Sequence, residues 1–192
     1  IDEIVTILTA LTNALDFAHS LGYVHGDIKP ANILFRKSGS LVISDFGLAK
    51  AIYSDAAPSI SGSMVGTPLY TSPEQAQALT LDGHSDLYSV GVIAFQMLTG
   101  ELPYKGNSAL NIAIKHISHP VPQLGNAFQP LQRFFDQALA KNPAERFDTG
   151  AQMMECLKSC LLALDRSEFS TAAKSAPTVE KNSSPTTDST RD

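Results

Sequence analysis

His25-Gly26-Asp27-Ile28-Lys29-Pro30-Ala31-Asn32 packs an acid, a cation and an amide into eight residues. Apolar runs border it, Leu21–Val24 before and Ile33–Phe35 after. Thirteen residues past Asn32, Asp45-Phe46-Gly47 stands at the end of another apolar run, Leu41-Val42-Ile43. Two short strands that each deliver an oxygen-rich tip to one place form a geometry for holding a metal and a phosphate. Asn32 and Asp45 carry hard oxygens of the kind Mg²⁺ takes. Asp27 is a candidate to orient or deprotonate a hydroxyl. Lys29 can neutralise charge that builds on a transferred phosphoryl group.

The rest of the chain bounds that reading. Its 192 residues suit one domain with a tail, and a hydrophobic fraction of 43% supports a core. The net charge of −5, with no basic stripe, argues against a nucleic-acid partner. The longest apolar run, Val90–Leu98, is too short for a membrane span and contains Gln96. Cys156 and Cys160 sit four apart on one helical face and read as small apolar side chains, since no further metal ligands lie near. So few cysteines fit a reducing compartment. A cytoplasmic location is expected, free or as the cytoplasmic part of a membrane-anchored protein. The chain opens at Ile1, directly in a helical pattern, so a piece of a longer protein is expected.

Ile4, Ile7, Leu8, Leu11, Leu15, Ala18 and His19 recur at helical spacing, and Gly22 is placed to end that helix. Ile33–Phe35 and Leu41–Ile43 flank turn residues Lys37–Ser40 and predict a β-hairpin. Residues 54–66 are mostly Ser, Ala, Gly and Pro with little to bury, which predicts a long loop of the functional or mobile kind. Pro73 starts a short helix. Leu87, Val90, Gly91, Ile93, Ala94, Met97 and Leu98 are apolar nearly all round, which predicts a buried helix ended by Gly100. Ala109–Ile117, Leu131–Leu139 and Ala151–Leu164 are further helices. His19, His84, His116 and His119 show no shared spacing or acidic partner and read as structural or surface residues. Beyond about Arg166 the composition turns to Ser, Thr, Lys, Asp, Ala and Pro and predicts a disordered tail, residues 165–192.

With these motifs in hand, residues 1–164 resemble the larger, C-terminal lobe of a eukaryotic-type (Hanks-type) serine/threonine protein kinase. His25-Gly26-Asp27…Asn32 resembles the catalytic loop H-R-D-x-x-x-x-N, and Asp45-Phe46-Gly47 the metal-binding D-F-G. Ser72-Pro73-Glu74 resembles the A-P-E that closes the activation segment. Asp86-Leu87-Tyr88-Ser89-Val90-Gly91 is similar to the D-x-W-S-x-G of the central helix. Arg146, in Asn142–Phe147, resembles the late arginine that pairs with the A-P-E glutamate. The wording Gly66-Thr67-Pro68…Ser72-Pro73-Glu74-Gln75 looks most like the bacterial enzymes.

The resemblance implies a mainly α fold with small β-hairpins at the catalytic edge and the N-terminal lobe absent. It implies ATP and Mg²⁺ as cofactors and proteins with serine or threonine acceptors as substrates. By the same resemblance Asp27 orients the acceptor hydroxyl, and Lys29 touches the γ-phosphate. Asn32 and Asp45 hold Mg²⁺, and Thr67 bridges toward Asp27 and Lys29. Glu74 and Arg146 form a buried ion pair, Asp86 braces the catalytic loop, and His25 packs on Phe46 beside Gly47.

Two departures matter. Gly26 stands where most kinases carry the arginine that receives the activation-loop phosphate, so weaker dependence on loop phosphorylation is expected. No Gly-rich loop, V-A-I-K lysine or helix-C glutamate occurs in this sequence, so little transfer is expected from the chain alone. Two other readings stay in view. His-Gly-Asp with Asn32 is also the loop form of small-molecule phosphotransferases of the aminoglycoside and choline type, which usually lack the D-F-G and G-T-x-x-Y-x-x-P-E context found here. The main alternative is a non-catalytic kinase-like scaffold: the full set Asp27, Lys29, Asn32 and Asp45 argues against it, and the missing lobe argues for it in the chain as given.

Overall fold

The computed structural model describes residues 1–45, 50–51 and 68–174, of which 50–51 and 165–174 are described as backbone alone. The described helices are α1 (Asp2–Ser20), α2 (Pro73–Ala76), α3 (Gly83–Thr99), α4 (Ala109–Ser118), α5 (Gln132–Ala138) and α6 (Gly150–Lys174). Four short strands, β1 (Tyr23–Val24), β2 (Ile33–Phe35), β3 (Leu41–Ile43) and β4 (Lys50–Ala51), make two antiparallel pairs. The fold is mainly helical with small sheets at one edge, as the sequence predicts.

Helix α1 buries Leu8, Leu11, Thr12, Leu15 and Ala18, a stripe at helical spacing. Asp2 and Glu3 in its first turn complement the helix dipole. Past its end, the N–H groups of Leu21 and Gly22 close onto the carbonyls of Ala18 and His19. Helix α3 is buried on every side from Ser85 to Phe95. Asp82 caps it by accepting from the His84 N–H at 2.9 Å, and Gly100 ends it at φ 75°. Leu87, Phe95, Phe134, Phe135, Leu139, Met153 and Leu157 belong to one core in which α1, α3, α5 and α6 meet.

Helix α6 joins α1 through a long-range cap. The Asp16 carboxylate accepts from the N–H groups of Gly150 and Ala151 at 2.7 and 3.0 Å. These are free donors at a helix start, where an anion is favourable. The two helices approach so closely that a Cβ on Gly150 would lie 2.5 Å from Thr12 Cβ.

The hairpin β2–β3 has the register Ile33↔Ile43 and Phe35↔Leu41. The pairing β1–β4, Tyr23↔Ala51 and Val24↔Lys50, does not show in the sequence, because two-residue strands carry no readable period. It matters for the site: β1 enters the His25 stretch and β4 receives the chain after Asp45, so both stretches are pinned side by side.

Helix α6 continues to Lys174, ten residues past Leu164. No Gly or Pro interrupts residues 165–174, and extending a formed helix is far easier than starting one. Residues 175–192 lie outside the described residues.

Candidate active site

The His25–Asn32 stretch is held from behind by Asp86 of α3. That carboxylate is buried, 1% exposed, and three donors reach it. The His25 N–H donates to Oδ2 at 2.9 Å and the Gly26 N–H to Oδ1 at 2.8 Å. His19 Nε2 lies 2.8 Å from Oδ2. A buried carboxylate is tolerated when its oxygens are matched in this way. His25 is itself buried and links the loop to the end of β3: Nε2 donates to the Ser44 carbonyl at 2.9 Å. Its Nδ1 accepts from the Asp27 N–H at 3.1 Å, so these two partners select the neutral Nε2–H tautomer.

Asp27 sits a third exposed at the loop tip. Its Oδ2 accepts from Lys29 Nζ at 2.7 Å and from Asn32 Nδ2 at 3.1 Å. Asn32 Nδ2 also donates to the Asp27 carbonyl at 2.8 Å, which folds the loop back on itself. Among the described residues no donor is bonded to Asp27 Oδ1. The buried Asn32 closes a 3₁₀ turn, Pro30–Asn32. The Ser44 N–H donates to the Asn32 carbonyl at 2.9 Å, which brings exposed Asp45 beside Asn32 in the chain of contacts. Asp45 has φ 61°, in the left-handed region that a non-glycine residue seldom enters.

Glu74 and Arg146 meet in the interior. Arg146 Nη1 and Nη2 donate to Oε1 and Oε2 at 2.7 and 2.8 Å, a bidentate pair. Ser85 Oγ donates to Glu74 Oε1 at 2.6 Å, and Arg146 reaches the carbonyls of Ala140, His84 and Lys141. Burial pushes the Glu74 carboxyl up, but the bonds from Arg146 and Ser85 outweigh it and hold it below its ordinary value. Tyr88 lies under the Arg146 guanidinium, 4.8 Å to the ring centre. Behind it, the Tyr88 hydroxyl is 2.9 Å from Nδ1 of buried His116. Burial and nearby Lys141 lower His116 to about 4, while burial and Arg146 lower Lys141 to about 8.

The structure therefore brings Asp27, Lys29 and Asn32 together in direct contact, joins His25 and Asp86 to their backbone, and places the Glu74–Arg146 pair at the base of α2. Phe46, Gly47 and Thr67 lie outside the described residues. The reading of the histidines as lacking acidic partners is corrected. His19 pairs with Asp86, and His84 lies 3.1 Å from Asp82 and 3.6 Å from Asp148. The Asp86 contact spans 67 residues, so no sequence spacing announces it. The sequence reading does not single out Gln75 as a contact residue, although Ser72-x-x-Gln75 is a capping-box pattern. Cys160 is buried, whereas Cys156 is half-buried with its thiol pushed up by burial and by Cys160.

Residues 1–160 match the protein kinase domain family. The probable serine/threonine-protein kinase PknB of Lactococcus lactis is 38% identical over 157 residues, covering 80% of this chain and 25% of that protein. The serine/threonine-protein kinase PknA of Mycobacterium tuberculosis is 40% identical over 146 residues, 75% of this chain and 33% of that protein. The serine/threonine-protein kinase PknB of Mycolicibacterium smegmatis is 38% identical over 155 residues, 78% of this chain and 25% of that protein. The chain thus spans a quarter to a third of the length of these curated relatives. Among the described residues no helix is long and apolar enough to cross a membrane. With the loop, the D-F-G aspartate, the buried Glu74–Arg146 pair and this similarity in agreement, the chain belongs to the protein kinase domain family, in the bacterial serine/threonine form.

Proposed function

We propose that this chain carries the acceptor-aligning half of a serine/threonine protein kinase, which moves the ATP γ-phosphate to protein hydroxyls. The observation that carries the reading is the Asp27 carboxylate. Lys29 and Asn32 both bond Oδ2, so among the described residues the other oxygen is left to a hydroxyl. Asp27 Oδ1 would accept the hydrogen bond of the incoming serine or threonine and aim its oxygen along the line of attack. Lys29 is half-exposed on the same side and would lie against the phosphoryl oxygens as their charge grows. Most of the rate gain in this chemistry comes from positioning and electrostatics, so a stiff loop suits it.

The donor set fits a magnesium ion. Asn32 spends its amide nitrogen on Asp27, which leaves its oxygen as the ligand atom, and Asp45 adds a carboxylate. Among the described residues no group of three or more His, Cys, Asp or Glu forms, so phosphate oxygens and water would complete the shell, as Mg²⁺ prefers. When bound, the ion would neutralise charge on the ATP phosphates. Proteins with serine or threonine acceptors are the proposed substrates, with Thr67 as the residue that would support that choice.

The test is ATP-dependent phosphate transfer to a serine/threonine protein substrate, measured on the product of the whole reading frame that encodes these residues. Transfer should require Mg²⁺ and fall by about 10²–10⁴ in Asp27→Asn, the range for removing a positioned acid–base group. Undiminished transfer in that variant would remove Asp27 from the role. The 192-residue chain alone, which holds no Gly-rich loop, should transfer little.

A further inference from the structure

We infer that Gln75 is a positioning residue for the catalytic loop, tying the peptide unit in front of Asp27 to the start of α2. The inference rests on the kinase reading above and adds a residue to it.

Ser72 and Gln75 form a capping box. The Gln75 N–H donates to Ser72 Oγ at 3.3 Å, and the Ser72 N–H donates to Gln75 Oε1 at 3.0 Å. That uses the amide oxygen. The amide nitrogen points the other way and donates to the Gly26 carbonyl at 2.5 Å. Only one orientation of the amide serves both partners, since one needs an acceptor and the other a donor.

The Gly26 carbonyl and the Asp27 N–H are two ends of one planar peptide unit. Its other end donates to His25 Nδ1. The peptide unit before it is held by Asp86 through the Gly26 N–H. Three side chains from α2, α3 and the loop itself therefore fix the backbone that carries Asp27. The conformation of Gly26 is part of the device. Its φ is +73°, and a Cβ there would sit in the strained left-handed region, 3.4 Å from Leu81 Cδ1. A residue with no side chain cannot anchor the loop through one, so the anchor runs through its carbonyl.

The other end of the tie is firm. Glu74, the residue before Gln75, holds the bidentate bond to Arg146 and accepts from Ser85. Asp27 is thus referenced to the buried ion pair through Gln75 and Gly26. The amide is what the site requires. A capping box works with Glu as well as Gln. A Glu at this position would keep the bond to Ser72 but would offer Gly26 no donor, and would set an anion against its carbonyl.

That chemical difference makes the test. In the product of the whole reading frame, Gln75→Glu, Gln75→Ala and Ser72→Ala are compared with the wild type. Loss of one neutral hydrogen bond at a positioned group is expected to lower kcat about tenfold in Gln75→Glu, with KM for ATP within about twofold. Amide exchange at Gly26 and Asp27 should quicken by about tenfold in the same variant. Ser72→Ala weakens the cap alone and gives the effect of a less stable α2, read from the melting temperature. If Gln75→Glu keeps wild-type kcat and exchange, the inference is overturned. It is equally overturned if Ser72→Ala lowers kcat as far as Gln75→Glu does. A wild type that transfers no phosphate refutes the kinase reading instead, and the exchange comparison then still decides whether the tie exists.

Discussion

Arg146→Ala is the sharpest perturbation of the frame beneath the site. The substitution removes five hydrogen bonds at once, two to Glu74 and one each to the carbonyls of Ala140, His84 and Lys141. Glu74 is 5% exposed and, among the described residues, keeps only Ser85 as a side-chain hydrogen-bond partner. Stranding one partner of a buried pair costs about 3–5 kcal/mol. For a chain of this size that corresponds to a fall of roughly 6–20 °C in Tm. The loss also depends on pH, and the sign follows from the lowered Glu74 carboxyl. In the wild type the pair contributes stability above the ordinary carboxyl value of 4.5, lost as pH falls through the lower folded value. In the variant the two lowering bonds from arginine are gone and burial remains, so Glu74 takes up a proton more readily. The penalty should therefore be full at pH 7 and smaller at pH 5. Urea unfolding of both proteins at the two pH values measures it. A loss under about 1 kcal/mol at pH 7, the size of an exposed ion pair, would refute the reasoning. So would a penalty that does not shrink at pH 5.

Asp86→Asn replaces one acceptor oxygen with an amide nitrogen facing donors, and should cost about 1–3 kcal/mol in chemical unfolding, with a lower kcat from a loosened loop. Gly150→Ala puts a methyl 2.5 Å from Thr12 Cβ, so calorimetry should record a loss of about 1–3 kcal/mol as α1 and α6 are forced apart. His116, lowered from 6.5 to about 4, binds its proton more readily in the unfolded chain, so stability is full above about pH 6.5 and declines toward pH 4. That window is worth about 3 kcal/mol at 1.36 kcal/mol per pH unit. The difference between wild type and His116→Gln across the window isolates it, and equal pH slopes would contradict it.

Much of the architecture is legible in the residue order, because it rests on local physics. The Leu8–Leu15 stripe of α1 and the run of apolar residues from Leu87 to Leu98 in α3 mark both helices, and the Lys37–Ser40 turn sets the β2–β3 register. These signals need neighbours only three or four residues away. The β1–β4 pair escapes them, since two residues have no period to read. The continuation of the α6 backbone past Leu164 escapes them for another reason: composition signals a poor core-former, yet a helix already started is easily extended.

For the proposed site, the chain order names the candidate reactive groups and the fold decides how they are held. Asp27, Lys29, Asn32 and Asp45 are visible by type and spacing, because phosphoryl transfer needs an acid, a cation and hard oxygens close together. Their supports are not visible in that way, and the Asp86 brace and the Glu74–Arg146 pair are expected only through the family resemblance. His19 meets Asp86 across 67 residues, Gln75 meets Gly26 across 49, and Arg146 meets Glu74 across 72. Such contacts depend on how whole helices pack, and packing joins residues without regard to their distance along the chain.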